Sequence, residues 1–277
     1  MNLAQLILQS KLPVHELTDE QAKNLKAAFV RMYLDILTVC EKHHLTIMMG
    51  GGSCLGTIRH KGFIPWDDDI DIAMRKEDVA RFIEVAQHEL PKNLFVQTPE
   101  VEATKEPIVK VRNLNSFYVE GGDDFSADYE KGVYVDIFPF IPYPAVSKKF
   151  TRRFVRGLSR SKSILCKHHP YSFRAFAELL WFGAKYLVCS AVWQAACCVL
   201  PRNRKMCVIP ENNGYGVVYD VTDIFPLSTA TFEGREFPVP GNSDAYLTAL
   251  FGDYMQIPPV EKRQIHAVFV VPELMRR

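Results

Sequence analysis

Between Gly50 and Met74 the chain reads GGGSCLGTIRHKGFIPWDDDIDIAM, and four of the five positions from Asp67 to Asp71 are acids: Asp67, Asp68, Asp69 and Asp71. No other stretch restricts the fold as tightly. Like charges this close repel, and burying an unpaired carboxylate is expensive. A plain acidic run is usually a solvated turn, but Trp66, Ile70 and Ile72 are interleaved here, and apolar residues of that size belong in a core. The alternation Asp69-Ile-Asp-Ile-Ala73 has the period of a strand, so Asp69 and Asp71 project from one face of it. Two convergent carboxylates make a hard oxygen site for Mg2+, an ion that keeps waters and binds substrate phosphates. Upstream, Gly51 and Gly52 let the backbone approach such phosphates closely. Ser53 adds a hydroxyl, and the basic triplet Arg59-His60-Lys61 offers charge to neutralise them.

The flanking sequence predicts a framework for this motif. Thr18-Asp19-Glu20-Gln21 has the capping-box pattern, and Ala22, Leu25, Phe29, Met32, Tyr33, Ile36 and Cys40 follow at helical spacing, giving a long amphipathic helix from about Asp19 to His43. Leu45 to Met49 predicts a buried strand that ends at the glycines. Ser53 to His60 reads as a short helix, Gly62 to Asp68 as a loop, and Lys76 to Leu90 as a helix stopped by Pro91. Leu94 to Gln97, Ile108 to Arg112 and Val133 to Phe138 are further strand candidates. The order predicts an α/β (α+β) protein: a mixed-sheet core with flanking helices and a helical insertion. Within Tyr134-Val-Asp136-Ile-Phe138 a lone acid sits in an apolar run, which is costly unless it is paired or bound to metal. Asp136 is therefore a candidate third ligand beside Asp69 and Asp71. The competing arrangement is a buried salt bridge with Lys110 or Arg112, which are otherwise candidate phosphate contacts.

Composition narrows the partners. A chain of 277 residues with 48% apolar and 23% charged residues is a folded soluble protein, and a net charge of +1 gives no grounds for nucleic-acid binding. Seven cysteines without C-x-x-C spacing indicate reduced thiols in the cytoplasm. The start, MNLAQLILQSKLPVHELTDEQ, lacks a signal-peptide pattern. Charge is unevenly spread, however. From Lys148 to Lys167 there are eight Lys or Arg and no acid, and the apolar run Phe176 to Leu200 follows. That run fits a buried core helix pair, an interfacial helix, or a transmembrane helix. Glu178, Lys185 and Gln194 argue against the last, and the flanking cations suit the surface of an anionic membrane. The expected division is a catalytic core over 1–145, a basic and apolar helical segment over 146–209 with peripheral membrane contact through 148–205, and a C-terminal segment over 210–277 that packs back on the core.

GGGSCLGTIRHKGFIPWDDDIDIAM resembles the signature of the LicD family, named for bacterial phosphorylcholine transferases. The resemblance continues through KVRNLNSFY, GVYVDIFPF and TFEGREFPVPGNSDAYLTALFGDYMQIPPVEKRQIH. It implies a nucleotidyltransferase-like core with Mg2+ on Asp69 and Asp71 and with Asp136 as the distant third carboxylate. It further implies transfer of phosphocholine, or a related phospho-alcohol, from a CDP-linked donor such as CDP-choline to a hydroxyl of a cell-surface glycan or glycolipid. Lipooligosaccharide, teichoic acid and capsule are acceptors of this kind; CMP is released, and the reaction takes place in the cytoplasm at the inner face of the membrane. Asp136 or Asp67 is the candidate base for the glycan hydroxyl. Phe63, Trp66, Tyr134 and Phe138 are candidates for attracting a quaternary ammonium, or else core residues. His266, in EKRQIH, either reaches the site or caps the fold. Two other readings stand beside this one: a nucleotidyltransferase that moves NMP from an NTP to a sugar or small molecule, and a non-catalytic glycolipid- or membrane-binding module.

Overall fold

A computed structural model of the chain describes residues 18–98, 108–120, 129–166, 172–263 and 266–272. The N-terminal segment, Lys167 and the His168-His169 pair lie outside these residues. Helix α1 (Asp19–Lys42) begins at the expected capping box: Thr18 Oγ1 accepts from the Gln21 N–H, and the Gln21 side chain accepts from the Thr18 N–H. Its stripe of Leu25, Phe29, Met32, Tyr33, Ile36 and Cys40 is buried. It packs on the sheet and on α3.

The chain continues through β1 (Ile47–Met49), α2 (Gly51–His60), β2 (Ile70–Arg75), α3 (Lys76–Glu89), β3 (Leu94–Gln97), β4 (Val109–Asn113), β5 (Phe117–Glu120) and β6 (Val133–Tyr143). The sheet order is β1-β2-β6-β4-β3, with β2 and β6 parallel and the other pairs antiparallel. This is the mixed α/β core that the element order predicts. Strand β6 is its spine: Val133, Val135 and Ile137 on one face are each 0% exposed, and Tyr134 and Asp136 on the other are buried too, the mark of a strand covered on both faces. The sequence predicts β6 only as far as Phe138, but it runs on to Tyr143. The break in partners explains this. The β4 ladder ends at Ile137 opposite Val109, and a second ladder with β7 (Lys205–Val208) begins at Phe140. Pro139, which has no N–H to donate, stands between the two.

After β6 come Lys148–Phe150, a π-type turn at Thr151–Val155, α4 (Arg156–Leu165) and α5 (Phe173–Val199). α5 packs along α4. Within α5 only Ala175 and Cys189 are buried, while Phe176, Leu180, Trp181, Leu187 and Val188 are exposed. The apolar run is therefore one helix lying on the outside, and the arrangement as a buried core helix pair is corrected. Beyond β7 and β8 (Tyr219–Asp220), a hairpin of β9 (Ser228–Phe232) and β10 (Arg235–Val239) turns at Glu233-Gly234, both with positive φ, the geometry that suits a two-residue hairpin turn. Its Phe232 and Phe237 pack on Phe63 and Tyr33. Helix α6 (Ser243–Phe251) then packs on α2, and β11 (Ala267–Val271) pairs with β5.

Candidate active site

Strand pairing brings the acids together. Asp71 of β2 is opposite Asp136 of β6, and Asp136 is opposite Lys110 of β4. Residues in register on neighbouring strands share a face, so Asp71, Asp136 and Lys110 form a row across the sheet, with Asp69 two positions before Asp71. Lys110 Nζ lies 3.0 Å from Asp136 Oδ1 and 3.2 Å from Oδ2. Only the Oδ2 contact has hydrogen-bond geometry, which leaves Oδ1 buried without a hydrogen-bond partner among the described residues. The same ammonium sits 3.5 Å from the centre of the Tyr134 ring.

The N-terminus of α2 closes onto this row. The Gly50 N–H donates to the Asp71 carbonyl (2.9 Å), and the Asp71 N–H donates to Ser53 Oγ (2.8 Å). The Gly52 N–H points at Asp71 Oδ2 (3.4 Å), and the Gly51 N–H donates to the Tyr246 hydroxyl (3.1 Å). The glycines are the first turn of this helix, whereas the sequence suggests a turn ahead of it. They are glycines because the acids are close. A Cβ at Gly51, where φ is +41°, would stand 2.4 Å from Asp71 Oδ2, and one at Gly52 would stand 3.1 Å from Asp67 Oδ2. The helix also directs the positive end of its dipole at these carboxylates.

Asp68 faces another way. It accepts from the Ala267 N–H (2.7 Å), the His266 N–H (3.1 Å) and the Tyr118 hydroxyl (3.0 Å), and so fastens β11 beside the site. His266 Nδ1 then lies 3.3 Å from Asp68 Oδ1 and 3.4 Å from Asp69 Oδ2.

The charges do not balance. Burial, then Asp136 and Asp67, push Asp71 up to about 7. Burial, then Asp68, push Asp67 up to about 6. Asp69 is driven well above the ordinary carboxylate range by burial and by Asp71, Asp67 and Asp136 in turn. Burial raises Asp136 against the pull of Lys110. Burial also opposes the charge on Asp68, but its hydrogen bonds from His266, Ala267 and Tyr118 outweigh that, and it is held low. The Asp68 hydrogen bond, before any other influence, raises His266 to about 9. A crowded set of carboxylates on which the protein spends few cations fits a divalent cation, with Asp69 and Asp71 as its natural holders. Among the described residues no group of three or more His, Cys, Asp or Glu side chains is placed to hold a metal ion, so the protein's own donors would be the Asp69 and Asp71 pair. An open donor set of this kind leaves positions for water and phosphate oxygens.

The structure thus gathers Gly51, Gly52, Ser53, Asp67, Asp69, Asp71, Lys110, Asp136 and His266. It does not bring in every residue nominated from the sequence. Arg59 lies at the far end of α2, where its Nη1 donates to the Tyr254 carbonyl and its Nε faces His60 Nδ1 at 3.4 Å. Lys61 ends the same helix in the left-handed conformation. Trp66 has the Arg263 guanidinium 4.2 Å over its ring and His60 against its edge. Arg112 is taken by the Gln97 side chain (2.8 Å) and the Gly132 carbonyl (3.0 Å). Of the aromatic candidates, Phe63 packs on Phe29 and Phe232, Tyr134 carries Lys110 and Arg112 on its ring, and Phe138 packs against the core. Two residues that hold the site, Tyr118 and Tyr246, escape sequence reasoning. Their partners are 50 and 195 positions away, and no local pattern marks them.

This mixed sheet, with an Asp-x-Asp strand beside a glycine-bearing helix, is the arrangement that the resemblance to a nucleotidyltransferase-like core implies. Comparison with known proteins makes the class more specific. Residues 44–180, which include every acid of the cluster, match the family model described as LicD/FKTN/FKRP, nucleotidyltransferase domain. The chain is similar to the lipopolysaccharide cholinephosphotransferase LicD of Haemophilus influenzae, 28% identical over 259 residues, an alignment that covers 83% of this chain and 89% of that protein. It is also similar to the human ribitol 5-phosphate transferase FKRP, 29% identical over 122 residues, but this covers 42% of the chain and 21% of that longer protein. The chain belongs to the LicD family.

Proposed function

We propose that this protein transfers phosphocholine, or a related phospho-alcohol, from a CDP-linked donor to a hydroxyl of a cell-surface glycan and releases CMP. The observation that carries the proposal is the buried, under-neutralised pair Asp69 and Asp71 under the glycine-bearing N-terminus of α2, with Asp136 in register beside them. The two relatives are named as a cholinephosphotransferase and a ribitol 5-phosphate transferase, activities that are both of this kind.

Mg2+ bound by Asp69 and Asp71 supplies charge neutralisation for the donor phosphates. The residues of the chain do the rest. The α2 N-terminus and His266 add positive potential around the bound diphosphate. Lys110 fixes Asp136 in register beside Asp71, which the Ser53 hydroxyl and the Gly52 N–H hold in place. The glycan oxygen forms a bond to the phosphorus that carries the alcohol, the bond from that phosphorus to the bridging oxygen breaks, and CMP leaves with the bridging oxygen. We assign acceptance of the glycan hydroxyl proton to Asp67. Its carboxylate lies against Gly52 beside the acid pair and accepts no hydrogen bond among the described residues, whereas Asp136 is occupied by Lys110. Positioning and charge screening dominate in reactions of this class.

The test is CMP release from CDP-choline, CDP-ribitol, CDP-glycerol and CDP-ethanolamine, with glycan extract as acceptor, in Mg2+ and in EDTA. Metal-dependent CMP from one donor establishes the reaction and names the alcohol. Pyrophosphate from NTPs, without CMP from any of these donors, would establish nucleotidyl transfer instead.

A further inference from the structure

α5 is 27 residues long, about 40 Å at the rise of an α-helix. One side of it is accounted for: Cys189 packs on Gly157 of α4, and Trp193 sits edge-on against Tyr143 with ring centres 4.6 Å apart. The opposite side is bare. Phe176, Leu180, Trp181, Leu187, Val188 and Val199 are 58%, 59%, 68%, 69%, 59% and 80% exposed. With about 100° between successive residues, they form one face with Ala184 and Ala191 at its centre. The charged residues within that span, Glu178 and Lys185, fall behind it, and the Lys185 stem lies 3.5 Å from a Cβ placed on Gly157 of α4. An uncharged face of this length, apolar but for Gln194 at the edge that Phe176 marks, is more than a soluble monomer ordinarily leaves in water.

Cations frame it. Lys148, Lys149, Arg152, Arg153, Arg156 and Arg160 are exposed on the helical segment that packs beside α5 or leads into it. None of them has a carboxylate of the described residues within 4.0 Å. Arg202 and Arg204 stand exposed just past the other end.

We infer that this face docks on an anionic phospholipid surface. α5 lies in the plane of the interface with its bare side at the acyl boundary, Trp181 sits at headgroup depth, and the cations of the 148–160 segment rest on lipid phosphates. A crossing helix is disfavoured because α4, packed along α5, would carry Arg156 and Arg160 into hydrocarbon. A second copy of the chain is disfavoured because a two-fold contact sets each patch against itself and so brings the two cation rows together. The docked surface also adjoins the acid site. A Cβ on Gly216 would stand 3.0 Å from Arg152 Cα and from Arg156 Cβ, and its neighbour Tyr215 packs edge-on against Phe251 of α6, the helix whose Tyr246 hydroxyl accepts from the Gly51 N–H. Docking therefore sets the acids close to the lipid surface, where a lipid-borne glycan would be presented. That last consequence alone rests on the transferase reading.

The test is flotation of the whole protein with vesicles of phosphatidylcholine alone and of phosphatidylcholine with phosphatidylglycerol. We expect flotation with the anionic vesicles only, weakened by salt, with a blue shift of Trp fluorescence that Trp181→Phe abolishes. The double change Leu180→Glu/Leu187→Glu should end binding without lowering the melting temperature, since both side chains are in water. Arg153→Gln and Arg160→Gln should each reduce partitioning roughly fivefold. Failure to float with either vesicle, equal flotation with the neutral one, or an unaffected glutamate variant would overturn the inference. So would a dimer in sedimentation that only the glutamate variant dissociates, which would assign the face to a second copy. CMP release is not a readout here, so these failures leave the transferase reading intact.

Discussion

Asp71 shows how single residues are set at this site. Its backbone is held by Gly50 and Ser53 and its carboxylate by the Gly52 N–H, so replacement by Asn keeps the local structure while removing one of several repelling charges. We expect Asp71→Asn to reduce CMP release by about a hundredfold or more, with a melting temperature no lower than that of the wild-type protein. Mg2+ should raise the melting temperature of the wild-type protein and do so less in Asp71→Asn; an equal rise in both would place the cation elsewhere. Ser53 plays the opposite part. Its hydroxyl is the acceptor for the Asp71 N–H at a buried position, and Ser53→Ala should cost about 1–3 kcal/mol in urea unfolding. The alternation of acid and apolar residues was enough to find Asp69 and Asp71, because side-chain direction in a strand is local. Tyr118 and Tyr246 carry no such signal, because a phenol's partner depends on which distant backbone passes it.

At the level of elements, the junction of α2 with β2 decides whether a site exists. Gly51 combines a positive φ with a contact that leaves no room for a Cβ. Gly51→Ala should therefore destabilise the protein by about 1–2 kcal/mol through the backbone alone, and should also lower turnover as Asp71 is displaced; calorimetry and the CMP assay measure the two separately. β6 is the other decisive element, since it contributes Asp136 and pairs with β2, β4 and β7. Truncating its fully buried Ile137 to Ala should cost about 2–5 kcal/mol. Periodicity located both elements and their flanking helices. It misplaced the start of α2 and the end of β6, because both boundaries are fixed by neighbours: the acids pressed against Gly51 and Gly52, and the β7 ladder beyond Pro139.

Across the whole molecule, burial sorts chemically identical groups. Cys40 and Cys54 are buried, and desolvation pushes each up to about 12, while burial raises Cys207 further still. Cys198 is exposed on α5. A short pulse of iodoacetamide at about pH 8 should label Cys198 and leave Cys40, Cys54 and Cys207 unmodified until denaturant is added; early labelling of Cys54 would mean that α2 opens away from the sheet. Seven cysteines in the sequence gave no hint of this order, just as one apolar run from Phe176 to Leu200 fitted three different placements. What the sequence determined by itself was local: helix and strand periods, the shared face of Asp69 and Asp71, the conflict of a lone Asp136 inside an apolar strand, and a basic stretch ahead of an apolar one. These follow from bond geometry and from the cost of burying charge, which act over a few residues. Only the tertiary structure decided that Lys110 answers Asp136, that Arg59 and Lys61 stand at the far end of α2, that His266 reaches the acids through Asp68, and that α5 keeps a bare face. Each of these depends on which strands pair and in what register, and pairing is settled by the packing of the whole core.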